Sequence, residues 1–589
     1  MKISIKVLNK KGLNSKGQQF FVFRWLELVH KFTIDSHRFR AMNSKSILQE
    51  LCEAIDYVEK DKWDSRNIKL ICEEAAKLIK TDRVLPSYPF YSVLTDVINA
   101  IQNSAQYNLQ SFISGILKSL ETSYLDKLIT GLKTAIASND LDNIDWYTAT
   151  LVTELINSGY ARAFLQKAVR DTIIEPQEKP FEEKFKNFVQ TVRPRKSTYT
   201  IYLKLHTDNI DFPPELNLRI INQVDFPTTD LYVKQYINSG RLFFQSDIEA
   251  LDPYSAAIAG NARFGTVLDL IRFVVQKPIR IDVDKQCLVM YDNQGRLYQT
   301  NPTLGGYLAD NIMKLPIYEN QLLRVLNSPH VSHSSKDKLK GALRYFRLGL
   351  EGATIEHQFL NFWIALEHVV KTGKKQAKII DTVISFIPKT LALNYIRKIT
   401  LDTVDLITKR SFVTIPAQLV PHINRNSLHK FIELIRDEGL FRQLVEAPNV
   451  NPLIEYRLEK LRLMLANSAS IRQAIGKNRW DIEHHLARMY RYRNKIVHQA
   501  AHDLNIAGIT TNLLSYVNEV LIKLLHELNS DYGFSEIQDV FMKYTVVYDK
   551  FMDALSKDTD NEMDLKILIE PTQFVWPPSQ KLQSKTIRP

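Results

Sequence analysis

Cysteine is nearly missing from this chain: Cys52, Cys72 and Cys287 are the three in 589 residues, too far apart for a zinc cluster or a disulfide framework. Scattered free thiols suit a reducing compartment, so a cytoplasmic protein is expected. Glycine (19) and proline (22) are scarce as well, which excludes collagen-like and low-complexity architecture. No stretch reaches ~18 uncharged apolar residues, and even FGTVLDLIRFVV carries an Asp and an Arg, so no membrane span is expected. The opening MKISIKVLNKKG has lysines every few positions and no apolar run, so no cleaved signal peptide is expected either. Neither G-x-x-x-x-G-K-[ST] nor G-x-G-x-x-G occurs, which leaves phosphate-loop and dinucleotide sites without support. H-E-x-x-H, G-x-S-x-G and C-x-x-C are also lacking.

What remains is an ordinary globular composition, 45% hydrophobic and 24% charged. At ~100–200 residues per domain the chain holds roughly three or four domains. Lys and Arg (77) exceed Asp and Glu (65), a net +12 that leans mildly towards polyanionic partners. Apolar residues recur at helical spacing in ILQELCEAIDYVEK, IKLICEEAAKLIK, FYSVLTDVINAIQ and SYLDKLITGLKTAI, so residues 1–175 read as helical. Prolines in EPQEKPFEEK suggest a linker. Residues 181–330 read as mixed α/β, with strands in STYTIYLKLH and LNLRIINQV and a hairpin turning at Asp292–Gly295. A helix capped by Asp252 with Pro253 behind it is embedded there. From 336 to 530 the chain is helical again, and 531–589 reads as a C-terminal extension. The expected fold class is therefore mainly α, with one mixed α/β domain in the middle.

Several charged clusters have bland explanations. His330 and His333 lie in a polar linker with no carboxylate or thiol to complete a metal site. Asp481 and His485 sit four apart, a spacing that suits a solvated helix face as well as a metal. KTGKKQAK (371–378) and the Arg193, Arg195, Lys196 cluster read as solvated loops.

Asn478 to Ala501, NRWDIEHHLARMYRYRNKIVHQAA, stands apart. Asn478 is positioned to cap a helix with Asp481 at its third residue. Ile482, Leu486 and Met489 then define a buried stripe, and its next position is Arg493. A guanidinium on a core face is costly unless it is paired or used. His498 follows five residues later, about 140° away around an ideal helix. The pair therefore requires that the helix end or distort, or that a second subunit complete it. The stretch is strongly basic, with Arg472, Lys477, Arg479, Arg488, Arg491, Arg493 and Lys495 against Asp481 and Glu483. Tyr490 and Tyr492 interleave with these cations, as suits stacking on single-stranded bases.

The order of helices around Arg493-Asn494-Lys495-Ile496-Val497-His498 resembles the HEPN superfamily, whose nucleases carry Arg-x4–6-His with a polar residue after the Arg. The upstream KLKGALRYFRLGLEGATIEHQFLNFWIALEHVV (338–370), with Phe362, Trp363, Ala365, Leu366 and Glu367, is similar to the first two helices of the ApeA-like branch. The resemblance spans 336–530, with an insertion near 371–475. It implies a metal-independent endoribonuclease with no cofactor. His498 would then be general base or acid, Arg493 the phosphorane-stabilising cation and Asn494 the residue orienting the phosphate. Glu367 would support Arg493, and Arg488, Arg491, Lys495 and Tyr492 would bind RNA. Arg491 also satisfies a six-residue spacing to His498; Arg493 is preferred because Asn494 follows it. The resemblance further implies a homodimer through the HEPN bundle and a role in abortive anti-phage defence. RNA, tRNA among the candidates, would be the target, and residues 1–330 would hold the enzyme off until a phage-derived trigger arrives. The alternative is a non-catalytic HEPN scaffold that binds RNA or dimerises.

Overall fold

The computed structural model describes residues 3–30, 33, 37, 41–60, 64–104, 107–176, 179–207, 219–275, 281–292, 294–300, 315–352, 354–371, 378–499, 506–530, 533–558 and 563–572. Among them helix dominates, with one mixed α/β region, as the sequence led us to expect; the sheet there is small and antiparallel.

The chain opens with α1 (Ile5–Lys10), α2 (Lys16–Val29), α3 (Ser44–Glu59), α4 (Arg66–Thr81), α5 (Tyr91–Ser104), α6 (Gln110–Ser138), α7 (Leu141–Asn157), α8 (Arg162–Val169) and α9 (Phe181–Val192). Ser15 and Asn43 start α2 and α3 with reciprocal side-chain caps to Gln18 and Ser46, which satisfy otherwise orphaned N–H groups. Two cores form. One joins α2, α7, α8 and α9 around Trp25; the other joins α3 to α6 around Leu51, Ile71 and Leu120.

The first boundary differs from the expected one at 181. Phe181, Phe185, Phe188 and Val192 make a stripe at spacings of four, three and four, and Phe188 packs edge-on to Trp25 at 4.8 Å. The helical region thus runs through the proline-rich segment to Val192.

Strands β1 (Ser197–Thr207), β2 (Ile220–Ile221), β3 (Leu242–Ala250), β4 (Ile281–Tyr291) and β5 (Gln294–Gln299) form one sheet in the order β2-β3-β1-β4-β5. Between them lie α10 (Leu231–Asn238) and α11 (Pro253–Val275), one against each face. Strand alternation divides the neighbours Cys287 and Leu288 between those two faces. Asp252 caps α11 as expected, accepting from the N–H groups of Tyr254 and Ser255. A Cβ at Gly260 would meet Ile201 Cδ1 at 2.0 Å, so a larger residue there would have to push Ile201 aside where α11 lies on the sheet. Tyr291 pairs with Gln294 around the expected hairpin, and Asp292 there adopts φ 48°. The strand expected over 216–224 pairs only at Ile220–Ile221, and 216–218 lie outside the described residues.

The C-terminal lobe comprises α12 (Leu315–Asn327), α13 (His333–Glu351), α14 (Ile355–Val370), α15 (Ile379–Ala392), α16 (Tyr395–Thr408), α17 (Leu428–Arg436), α18 (Glu438–Val445), α19 (Pro452–Leu465), α20 (Ser468–Gln499), α21 (Ala507–Leu528), α22 (Ile537–Lys557) and α23 (Leu565–Ile569). One apolar core runs through all of it, from Val325 and Trp363 through Ile387 and Met489 to Phe551. The segments expected as an insertion (371–475) and an extension (531–589) therefore supply core walls, α15 and α22 among them. Residues 372–377, most of KTGKKQAK, and 573–589 lie outside the described residues. No single described helix is long and apolar enough to cross a membrane.

Candidate active site on the α20 helix

Helix α20 is 32 residues long and starts ten residues before the expected cap at Asn478. Asn467 caps it, its side-chain oxygen accepting from the Ser470 N–H at 2.8 Å. Asn478 is thus an interior position, and Asp481 faces Lys77 at 3.4 Å instead of closing a capping box. No proline or glycine pair interrupts the run, so helical periodicity carries straight through. The predicted stripe is present: Ile482, Leu486 and Met489 are buried, and Ile471 and Ile475 extend it backwards.

Arg493 and His498 meet within this one chain, Arg493 Nη1 to His498 Nε2, at 3.3 Å. The helix neither ends nor distorts between them, contrary to the geometric expectation. Five residues rise only ~7.5 Å, and helical side chains lean towards the N-terminus, which carries His498 back towards the long Arg493 side chain. Arg493 Nη1 also donates to Asn494 Oδ1 at 3.2 Å. On the far side Arg493 Nε stands 4.0 Å from Glu367 Oε1 of α14. Glu367 is held in turn by the buried Trp363, whose indole N–H donates to the same oxygen at 2.6 Å. Trp363 was not assigned to the site from sequence; its spacing of four from Glu367 was the available signal.

Arg493 keeps 26% of its side-chain surface, Glu367 keeps 21%, and His498 is exposed. The cluster lies open at the end of α20. Guanidinium has no acceptor, so the contact presents an Nε2 lone pair and leaves the imidazole proton on Nδ1.

The four residues expected to bind RNA lie elsewhere. Arg488 and Arg491 do not face solvent: their side chains are 1% and 3% exposed. Glu50 of α3 bridges them, at 3.1 Å to Arg488 Nε and 2.8 Å to Arg491 Nε. Glu74 of α4 takes the other edge of Arg488. Burial alone would raise the Glu50 carboxyl, but the two guanidiniums outweigh it and hold it down to about 2. Lys495 pairs with Glu53 at 2.5 Å, and burial pushes the Tyr492 hydroxyl up to about 12. The basic run is largely neutralised from α3 and α4.

The weaker candidates disperse. His485 Nδ1 contacts the Tyr516 hydroxyl, apart from Asp481, and among the described residues no three His, Cys, Asp or Glu side chains converge as a metal site. No family model, curated protein or solved structure matches the chain.

Proposed function

We propose that this protein is an endoribonuclease of the HEPN type, cutting RNA by attack of a 2′-hydroxyl on the neighbouring phosphorus. The 3.3 Å contact between Arg493 and His498, at an open helix end and braced by Asn494 and Glu367, carries the reading. His498 Nε2 takes the 2′-OH proton, the 2′-oxygen bonds to phosphorus, and the 5′-oxygen leaves with a proton. The products are a 2′,3′-cyclic phosphate and a 5′-hydroxyl. An imidazole has one nitrogen that accepts a proton and one that donates, the chemistry both transfers require. Arg493 must turn from Nε2 to the phosphorane, where its planar fork matches two oxygens. Asn494 orients the phosphate, and Glu367 keeps Arg493 at the site.

On this reading the chain acts in the cytoplasm on RNA, tRNA included, as a homodimer that supplies a second histidine as the acid. Residues 1–330 restrain it until a phage-derived signal releases it in abortive defence. The scaffold alternative draws on one observation, the burial of Arg488 and Arg491, which leaves little free cation near the pair among the described residues.

The test is incubation of total RNA in EDTA with the full chain in large excess, so that the small released fraction of a restrained enzyme is read by end-group analysis. Cuts ending in 2′,3′-cyclic phosphate, with DNA of matched sequence left intact, are expected. Products ending in 3′-hydroxyl and 5′-phosphate would contradict the mechanism.

A further inference from the structure

Arg488, Arg491 and Lys495 are spaced three and four apart, so they form one stripe along α20, on a different face from Arg493. Glu50, Glu74 and Glu53 cover that stripe. These carboxylates belong to the α3–α6 bundle, whose apolar core shares no residue with the core of the C-terminal lobe. Further links across this seam are ionic or cation–π: Lys77 to Asp481 and over the Trp480 ring, Lys378 to Asp64, and Arg66 to Asp381. Apolar anchoring lies elsewhere, where Phe20 of α2 packs on Tyr456 of α19 and Leu453 joins the α2 core.

The ionic seam is imperfectly closed. The Nη1 atoms of both Arg488 and Arg491 are buried without a hydrogen-bond partner. Leaving such donors unmet costs free energy, so this contact falls short of the best a permanent interface could reach. An RNA phosphodiester offers a guanidinium two anionic oxygens in the same planar fork that a carboxylate presents, so it can take the place of Glu50 or Glu74. Lys495 lies 5.7 Å from the rings of both Tyr492 and Tyr57, which surround the cation with stacking surface.

We propose that the Arg488–Arg491–Lys495 stripe is a phosphate track for single-stranded RNA, occupied in the closed chain by Glu50, Glu53 and Glu74 in place of phosphates. Docking of the α3–α6 bundle and binding of RNA are then mutually exclusive. Loss of carboxylates from the bundle raises RNA affinity, and RNA bound on the stripe releases the bundle. The choice of RNA over other polyanions rests on the ribonuclease reading; the competition itself does not.

The test measures binding, not cutting, by fluorescence anisotropy of a single-stranded 2′-O-methyl RNA, which has no 2′-hydroxyl to react. Full-length wild type is compared with Glu50→Gln/Glu53→Gln. The variant is expected to bind at least tenfold tighter, with a salt dependence steeper by about two phosphate contacts, each changing the slope by ~0.7. Glu53 is 56% exposed at the rim, so Glu53→Gln alone keeps the fold and should tighten binding a few-fold. Adding Lys495→Gln to Glu53→Gln should abolish that gain. Equal affinity of wild type and Glu53→Gln, with melting curves that show both folded, overturns the proposal. Tighter binding by variants that never cut RNA would sink the ribonuclease reading and leave the track standing. Cutting by variants whose affinity is unchanged would do the reverse. Equal gains for DNA of the same sequence would keep the track and remove its preference for RNA.

Discussion

Helix α20 carries the same side chains to two different fates within ten residues. Arg488 and Arg491 are sealed against Glu50 and Glu74, while Arg493, two positions on, stays a quarter exposed beside His498. The helix turns about 100° per residue, so neighbouring arginines necessarily address different surroundings. One face meets the acidic bundle; the next meets Glu367 and solvent. Cationic composition alone therefore does not say which arginines bind structure and which are free for chemistry. Burial and partners decide it.

The sharpest way to break this contrast is to remove one guanidinium from each face. Arg488→Met strands Glu74 as a buried, unpaired carboxylate and leaves Glu50 with Arg491 alone, and urea unfolding should show a loss of about 3–5 kcal/mol. Arg493→Ala should cost under about 1 kcal/mol, since both it and Glu367 reach water. Equal losses would place the two arginines in one structural class.

Acid should loosen the buried charge clusters in two stages. His37, buried 3.9 Å from Asp402 and close to Glu27 and Arg457, is held neutral, chiefly by desolvation, with its pKa pushed down to about 3. The unfolded chain therefore takes up a proton below ~6.5 that the folded chain refuses, and stability falls as pH drops from there towards 3. Glu50 and Glu27 are both held at about 2 despite burial, by Arg488 and Arg491 in one case and Arg457 and Arg24 in the other. Their stabilising share is complete above ~4.5 and is lost as pH falls from 4.5 towards 2. Thermal melts at stepped pH check this; a midpoint flat between pH 7 and 4 contradicts the His37 stage.

Glu367→Gln sharpens the open side. It keeps the shape that receives the Trp363 N–H but removes the charge facing Arg493. Cleavage should weaken by about tenfold while the melting temperature moves little; unchanged cleavage would remove Glu367 from the site. The smallest effect belongs to Lys495→Ala, whose partner Glu53 is 56% exposed, at under about 1 kcal/mol in the same urea assay.

Much of this was legible in the sequence. The spacing of Ile482, Leu486 and Met489 gave the buried stripe, and Glu367 on the border of an apolar face gave the partner of Arg493. The helix start was missed because Asn478 has the chemistry of a cap, yet Asn467 caps first and nothing later stops the run. The Arg493–His498 contact defied the 140° expectation because backbone angles ignore the reach and lean of long side chains. The fate of Arg488 could not be read locally: Glu50 is 438 residues away in sequence. Likewise, Phe181 to Val192 looked like the start of a new domain until tertiary packing placed it beside Trp25.

The most direct test of the central claim is the rate at which His498→Ala cuts RNA in EDTA, relative to wild type at matched thermal stability. The account predicts a loss on the order of 10²–10⁴-fold, the share general acid–base catalysis supplies. Equal rates would show that His498, for all its closeness to Arg493, takes no part in the chemistry.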